Sequence, residues 1–244
     1  MAANEQFDWR QSDRRVYAVA AVLFTVIIFV GFARTYYLRF AFDAPAVPGL
    51  LVHVHGLLMT LWVGYFVSQV YLIRSKNARI HMKAGVIGVV LAFAILIVGF
   101  FTAVASGKFG SASAPPGIPR LSFMIVPMFD LLLFAVFFGG AIYYRKRPAN
   151  HKRLMLLTVL NFLPPALARI PLAAIQASGP VFFFGFPTLL AIGFVTYDTW
   201  RNRKLNKLFL AGAILLIISY PLRLILSSTD AWMGFAAWLT TWAA

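Results

Sequence analysis

Residues 82–105 read MKAGVIGVVLAFAILIVGFFTAVA, and Lys83 at the mouth of the run is its one charged side chain. A helix that crosses a hydrocarbon core roughly 30 Å thick needs about 20 apolar residues in succession, and this run supplies them. Six further stretches do the same on either side of it. The predicted spans are 16–38, 49–73, 82–105, 121–144, 154–177, 181–200 and 207–227. The fold class expected is therefore all-α, a polytopic membrane bundle of seven transmembrane helices.

Composition agrees. Of 244 residues, 61% are hydrophobic and 12% charged, and the mean hydropathy is +0.81. A soluble domain carries about twice that charged fraction, roughly 25%. With 24 Phe the chain is far too apolar for disorder. It has no cysteine, which excludes disulfides, thiolate metal sites, iron–sulfur clusters, covalently attached c-type haem and a cysteine nucleophile.

The net charge of +15 comes from 22 Lys and Arg against 7 Asp and Glu. In a soluble protein such an excess suggests nucleic acid; here its placement indicates a bilayer and excludes nucleic acid. Sixteen of the bases form four clusters between apolar runs: Arg10, Arg14 and Arg15; Arg74, Lys76, Arg79 and Lys83; Arg145, Lys146, Arg147, Lys152 and Arg153; Arg201, Arg203, Lys204 and Lys207. Arg34, Arg39, Lys108, Arg120, Arg169 and Arg223 belong to the other half. The positive-inside rule then puts the N-terminus in the cytoplasm and the C-terminus outside. The organisation expected is a cytoplasmic tail 1–15, retained because no small-residue cleavage site follows a short apolar stretch, a seven-helix domain 16–227, and an outer tail 228–244. Trp232, Trp238 and Trp242 make that tail a short amphipathic helix lying along the interface. Segment 107–120, GKFGSASAPPGIPR, is an external loop able to act as a lid or a tether. The loops KNARIHMKAGVIG, RPANHKRLMLLTV and TWRNRKLNKLFLAG share a layout that suggests an internal repeat.

Ionisable residues inside a span cost about 2.5–3.5 kcal/mol on insertion scales and mark functional sites by default. At a rise of about 1.5 Å per residue, His53, His55, Asp130, Arg169, Arg223 and Arg34 all lie roughly 6–13 Å below the outer helix ends. Asp130 is the one carboxylate near the midplane, and Arg169 is the partner expected for it. Arg169 sits in NFLPPALARIPLAAIQ, where Pro164, Pro165 and Pro171 kink the helix and release carbonyls, with Asn161 on the same face. The surplus arginines suit a carboxylate, a haem propionate, a quinone oxygen or a lipid phosphate. His53 and His55 face one site only if the helix begins after His53, and His55 shares its face with Met59 and Trp62. The candidate ligand-binding set is His55, Trp62, Asp130, Asn161, Arg169 and Arg223, with His55 as a metal or haem ligand. A bis-His site from His81 and His151 at the cytoplasmic end is the alternative. A retinal protein is excluded because the last span lacks a lysine, and no GxxxxGK[ST], GxSxG or HExxH occurs.

Over most of its length the chain resembles a widespread family of uncharacterised bacterial seven-helix inner-membrane proteins. The resemblance is carried by VHVHGLLMTLWVGYFVSQVYLI, IHMKAGVIG, NHKRLMLLTVLNFLPPALARI, VTYDTWRNRKLNK and SYPLRLILSSTDAWMGFAAWLT. It implies a multi-pass protein of the bacterial plasma membrane, without implying a biochemistry. Members of that family usually carry His-Pro-Ala where this chain has Leu205, Asn206 and Lys207. The element His-Lys-Arg-Leu-Met at His151 is also similar, locally, to membrane proteins linked to cytochrome oxidase assembly, which implies haem or copper.

The leading functional reading is a membrane protein that binds a cofactor or hydrophobic small molecule, haem b or a quinone, in a polar pocket of the outer half. There the arginines neutralise propionates or polarise a quinone carbonyl. Two other readings remain open: a proton-coupled transporter or lipid-handling protein, and a structural or assembly subunit of a membrane complex. Whether the protein is an enzyme is left open by the sequence.

Overall fold

A computed structural model describes residues 2–42, 47, 49–111, 114 and 117–242, giving backbone alone for 2–14. Helices dominate, and no strand occurs among the described residues. In chain order they are α1 (Ala2–Phe32), α2 (Gly49–Arg74), α3 (Ala78–Phe109), α4 (Arg120–Tyr143), α5 (Pro148–Asn161), α6 (Leu163–Leu167), α7 (Ala173–Asn202), α8 (Lys207–Leu226) and α9 (Asp230–Thr240). Among the described residues six segments are long and apolar enough to cross a membrane: Arg15–Tyr37, Gly49–Arg74, Ala78–Phe109, Arg120–Tyr143, Ala173–Asn202 and Lys207–Leu226. The chain is thus a helical protein of membrane-spanning character.

The predicted span 154–177 is not one helix. α5 and α6 join through Phe162, whose φ of −96° and ψ of 6° stay close to helical, but helix ends after Leu167. Pro171 has no N–H to give to the carbonyl of Leu167, and its ring pushes Ile170 away from helical geometry. The chain resumes through an extended Leu172 with φ −107° and ψ 124°. A second break follows at Gly179, with φ 52° and ψ −139°, a region open only to residues without a Cβ. The predicted span 181–200 begins beyond it, led by Pro180 at a position where a missing N–H is tolerated.

The chain divides into two compact units, 1–95 and 96–244. In the first, α1 and α2 lie side by side, and a π turn at Ala33–Tyr37 carries tyrosines onto α2. The hydroxyl of Tyr37 is 3.0 Å from that of Thr60, and Tyr36 donates to the carbonyl of His53 at 3.2 Å. α2 meets the first half of α3 where Tyr65 donates to the carbonyl of Ala84 at 3.2 Å, its ring occupying the space a Cβ at Gly88 would need.

The second unit is built around α5–α6, the most thoroughly buried element. Leu157, Leu160, Leu163 and Ala166 are fully enclosed, with α4, α7 and α8 packed around them. α8 comes close to α5 because Gly212 presents no side chain to Leu157. α9 forms a small core with Val104, Met124, Ala236 and Leu239, and the indole of Trp232 donates to the carbonyl of Leu121 at 2.8 Å.

Candidate functional site

Among the described residues the second unit holds two buried ion pairs, at different depths along its helices. The pair nearer the middle joins α4 to α8. Arg223 donates to a carboxylate oxygen of Asp130 at 2.7 Å, and the two side chains are 0% and 6% exposed. Arg223, and not Arg169, is therefore the partner of Asp130. Arg169 lies in the non-helical stretch after α6 and donates to the carbonyl of Pro165.

Local sequence explains how Arg223 is held. On α8 it follows Ser219 by one turn, and it donates from Nε to the Ser219 carbonyl and from its terminal nitrogen to Ser219 Oγ, both at 3.2 Å. The rings of Tyr220, Phe129 and Phe184 lie 5.3, 5.5 and 5.6 Å from the guanidinium carbon. Desolvated cation–π contacts of this kind contribute about 2 kcal/mol. Phe184 stacks on Tyr220 with centroids 4.7 Å apart and planes at 24°. From α5, Asn161 donates its amide to the backbone carbonyl of Asp130 at 2.7 Å. Asn161, Asp130 and Arg223 thus converge from three helices.

Two polar atoms beside this pair have no hydrogen-bond partner: the carbonyl oxygen of the Asn161 side chain and the hydroxyl of Tyr220. Ser219, Tyr220, Phe129 and Phe184 were not anticipated from sequence. The signal for the first two was present in SYPLR, where Ser219 and Tyr220 stand one helical turn before the arginine.

The second pair ties α5 to α7. Arg153 faces Asp198 through both oxygens, at 2.9 and 2.7 Å, and also donates to the carbonyl of Ala149. Asn202 donates to the Asp198 carboxylate at 3.1 Å and to its carbonyl at 2.7 Å. Beside it the Asn206 side chain caps α8 by accepting from the N–H of Phe209 at 2.8 Å and donates to Asn150 at 2.9 Å.

The remaining predicted residues fall as follows. His55 and Trp62 belong to α2 in the first unit, half-buried and buried respectively. α2 begins at Gly49, so His53 and His55 point to different faces, and His53 is exposed. His81 opens α3 in the first unit, while His151 opens α5 in the second with Nδ1 2.9 Å from the carbonyl of Ala141. Among the described residues no three His, Asp or Glu side chains converge as a metal would require. The proposed lid 107–120 lies partly outside the described residues; its first positions continue α3 to Phe109. Comparison with family models, curated proteins and solved structures returns no match.

Proposed function

We propose that the chain is a seven-pass protein of the bacterial inner membrane, N-terminus inside and C-terminus outside, that binds a quinone or quinol beside the Asp130–Arg223 pair. The odd number of passes is supported by the bond between Asn150 and Asn206. It brings the loops before α5 and α8 to the same end of the unit, so the intervening chain must travel out and back. α7 makes one leg. α5 and α6, about 30 Å long at 1.5 Å per residue, are sufficient for the other.

The observation that carries the ligand assignment is the pair of orphaned atoms beside the charges. A buried polar atom without a partner costs about 1–3 kcal/mol, and here an acceptor, Asn161 Oδ1, and a hydroxyl, Tyr220, are both left open. A dihydroxy ring, the quinol, can complete both, donating to Asn161 and accepting from Tyr220, whereas the diketo form can only accept, from Tyr220. The stacked Phe184 and Tyr220 offer aromatic surface of the same kind. A quinone suits this layer better than haem for two reasons. Arg223 already faces a carboxylate and is not available to a propionate. The histidine of this unit's helices, His151, is also ten residues before Asn161, about 15 Å away along the helix.

Organic extraction of the purified protein, followed by a reduction-difference spectrum, is expected to give stoichiometric quinone. Tyr220→Phe should lower occupancy several-fold without loss of thermal stability, since it removes a hydroxyl to which the protein gives no hydrogen-bond partner. A Soret band from the intact protein and no extractable quinone would count against the assignment. The transporter reading draws support from the breaks at 168–172 and Gly179, and uptake of a solute or proton by reconstituted vesicles without bound quinone would favour it.

A further inference from the structure

We infer that the two loops preceding α5 and α8 form a single binding site for the phosphate headgroup of an anionic lipid. The loops are brought together by two independent contacts, the Asn150–Asn206 bond at 2.9 Å and the bidentate Arg153–Asp198 pair. Around that junction stand Arg145, Lys146 and Arg147 from one loop, Arg203 and Lys204 from the other, and Arg201 in the last turn of α7, all exposed except the half-buried Arg201. The one carboxylate in either loop region is Asp198, and Arg153 already occupies both of its oxygens. None of the six bases therefore has a counter-charge within these two loops. Nε of Arg201 is buried without a hydrogen-bond partner, so its guanidinium is held against the protein with a donor to spare.

Backbone adds to the same field. α5 and α8 both begin at this junction, and each N-terminus contributes a partial positive charge. The Arg147 N-cap of α5 makes no side-chain cap. A soluble anion would meet the same charges, but the flanking helices are apolar and membrane-spanning in character. An occupant with a phosphate at the loops and acyl chains along α7 and α8 satisfies both requirements. Basic pockets at helix ends bind anionic headgroups in this way, and each base near the headgroup contributes on the order of fivefold in binding.

The test is native mass spectrometry of the full chain in neutral detergent, titrated with phosphatidylglycerol, phosphatidylcholine and inorganic phosphate. Phosphatidylglycerol adducts should dominate, weaken as ionic strength rises, and fall roughly 25-fold in affinity in Arg201→Gln/Lys204→Gln. Arg120→Gln, at the other end of the unit, should bind as the parent chain does. Equal retention of phosphatidylcholine, or displacement of the lipid by millimolar inorganic phosphate, overturns the proposal. If the double variant does not fold, the salt dependence of the parent chain decides: adducts insensitive to ionic strength also overturn it.

Discussion

Among the described residues Arg223 is the largest fully enclosed side chain, and its burial is compensated by Asp130, two oxygens of Ser219 and three aromatic rings. Removing one partner of such a pair leaves the other charge stranded, at a cost of about 3–5 kcal/mol. Arg223→Gln and Asp130→Asn should each lower the thermal unfolding temperature markedly in detergent. The double variant should recover part of the loss because no unpaired charge then remains. Double-variant stability equal to the sum of the two losses would show that the groups do not act as a pair. The sequence identified Asp130 as needing a base but pointed to Arg169, where the structure gives Arg223. Pairing depends on α4 lying against α8, a contact between residues 93 apart, and on Arg169 leaving the helix, so that helical face arithmetic ceased to apply to it. Asn161 was legible because it lies in the regular part of α5, where spacing still predicts direction.

At the scale of elements, the second unit is organised around an interrupted helix. Pro164, Pro165 and Pro171 indicated where the interruption would come, and it falls at 168–172. Gly179 was not legible in the same way, since a glycine before a proline within an apolar run equally fits a helix start. Its φ of 52° and ψ of −139° lie where a Cβ is strained, yet nothing stands within 4 Å of the position a Cβ would take. Gly179→Ala should therefore destabilise through backbone strain alone, by about 1–3 kcal/mol. At Gly139, in the helical part of α4 with equally open surroundings, the same change should stabilise by up to about 1 kcal/mol. Measuring both variants by thermal unfolding separates the two effects. A neutral Gly179→Ala would mean that the chain straightens there at no cost.

For the whole molecule the decisive quantity is which ends of the helices share a side. Two ion pairs, one joining α4 to α8 and one joining α5 to α7, couple the four large helices of the second unit at different depths. The Asn150–Asn206 bond adds a contact at one end, while the bond from Trp232 to the start of α4 fixes α9 at the other. The proposed orientation puts the first end in the cytoplasm, on the ground that the basic clusters at 145–153 and 201–207 both lie there. The natural absence of cysteine makes the assignment directly measurable: single cysteines at Lys146, Lys204 and Ser228 can each be probed with a membrane-impermeant maleimide in intact and opened cells. Lys146→Cys and Lys204→Cys should label only after opening, and Ser228→Cys in intact cells. If Lys204→Cys labels from outside while Lys146→Cys does not, α5–α6 fails to cross, and the C-terminus returns to the cytoplasm. A six-pass arrangement would then have to break the Asn150–Asn206 contact, since no folded chain can hydrogen-bond two loops across a bilayer roughly 30 Å thick.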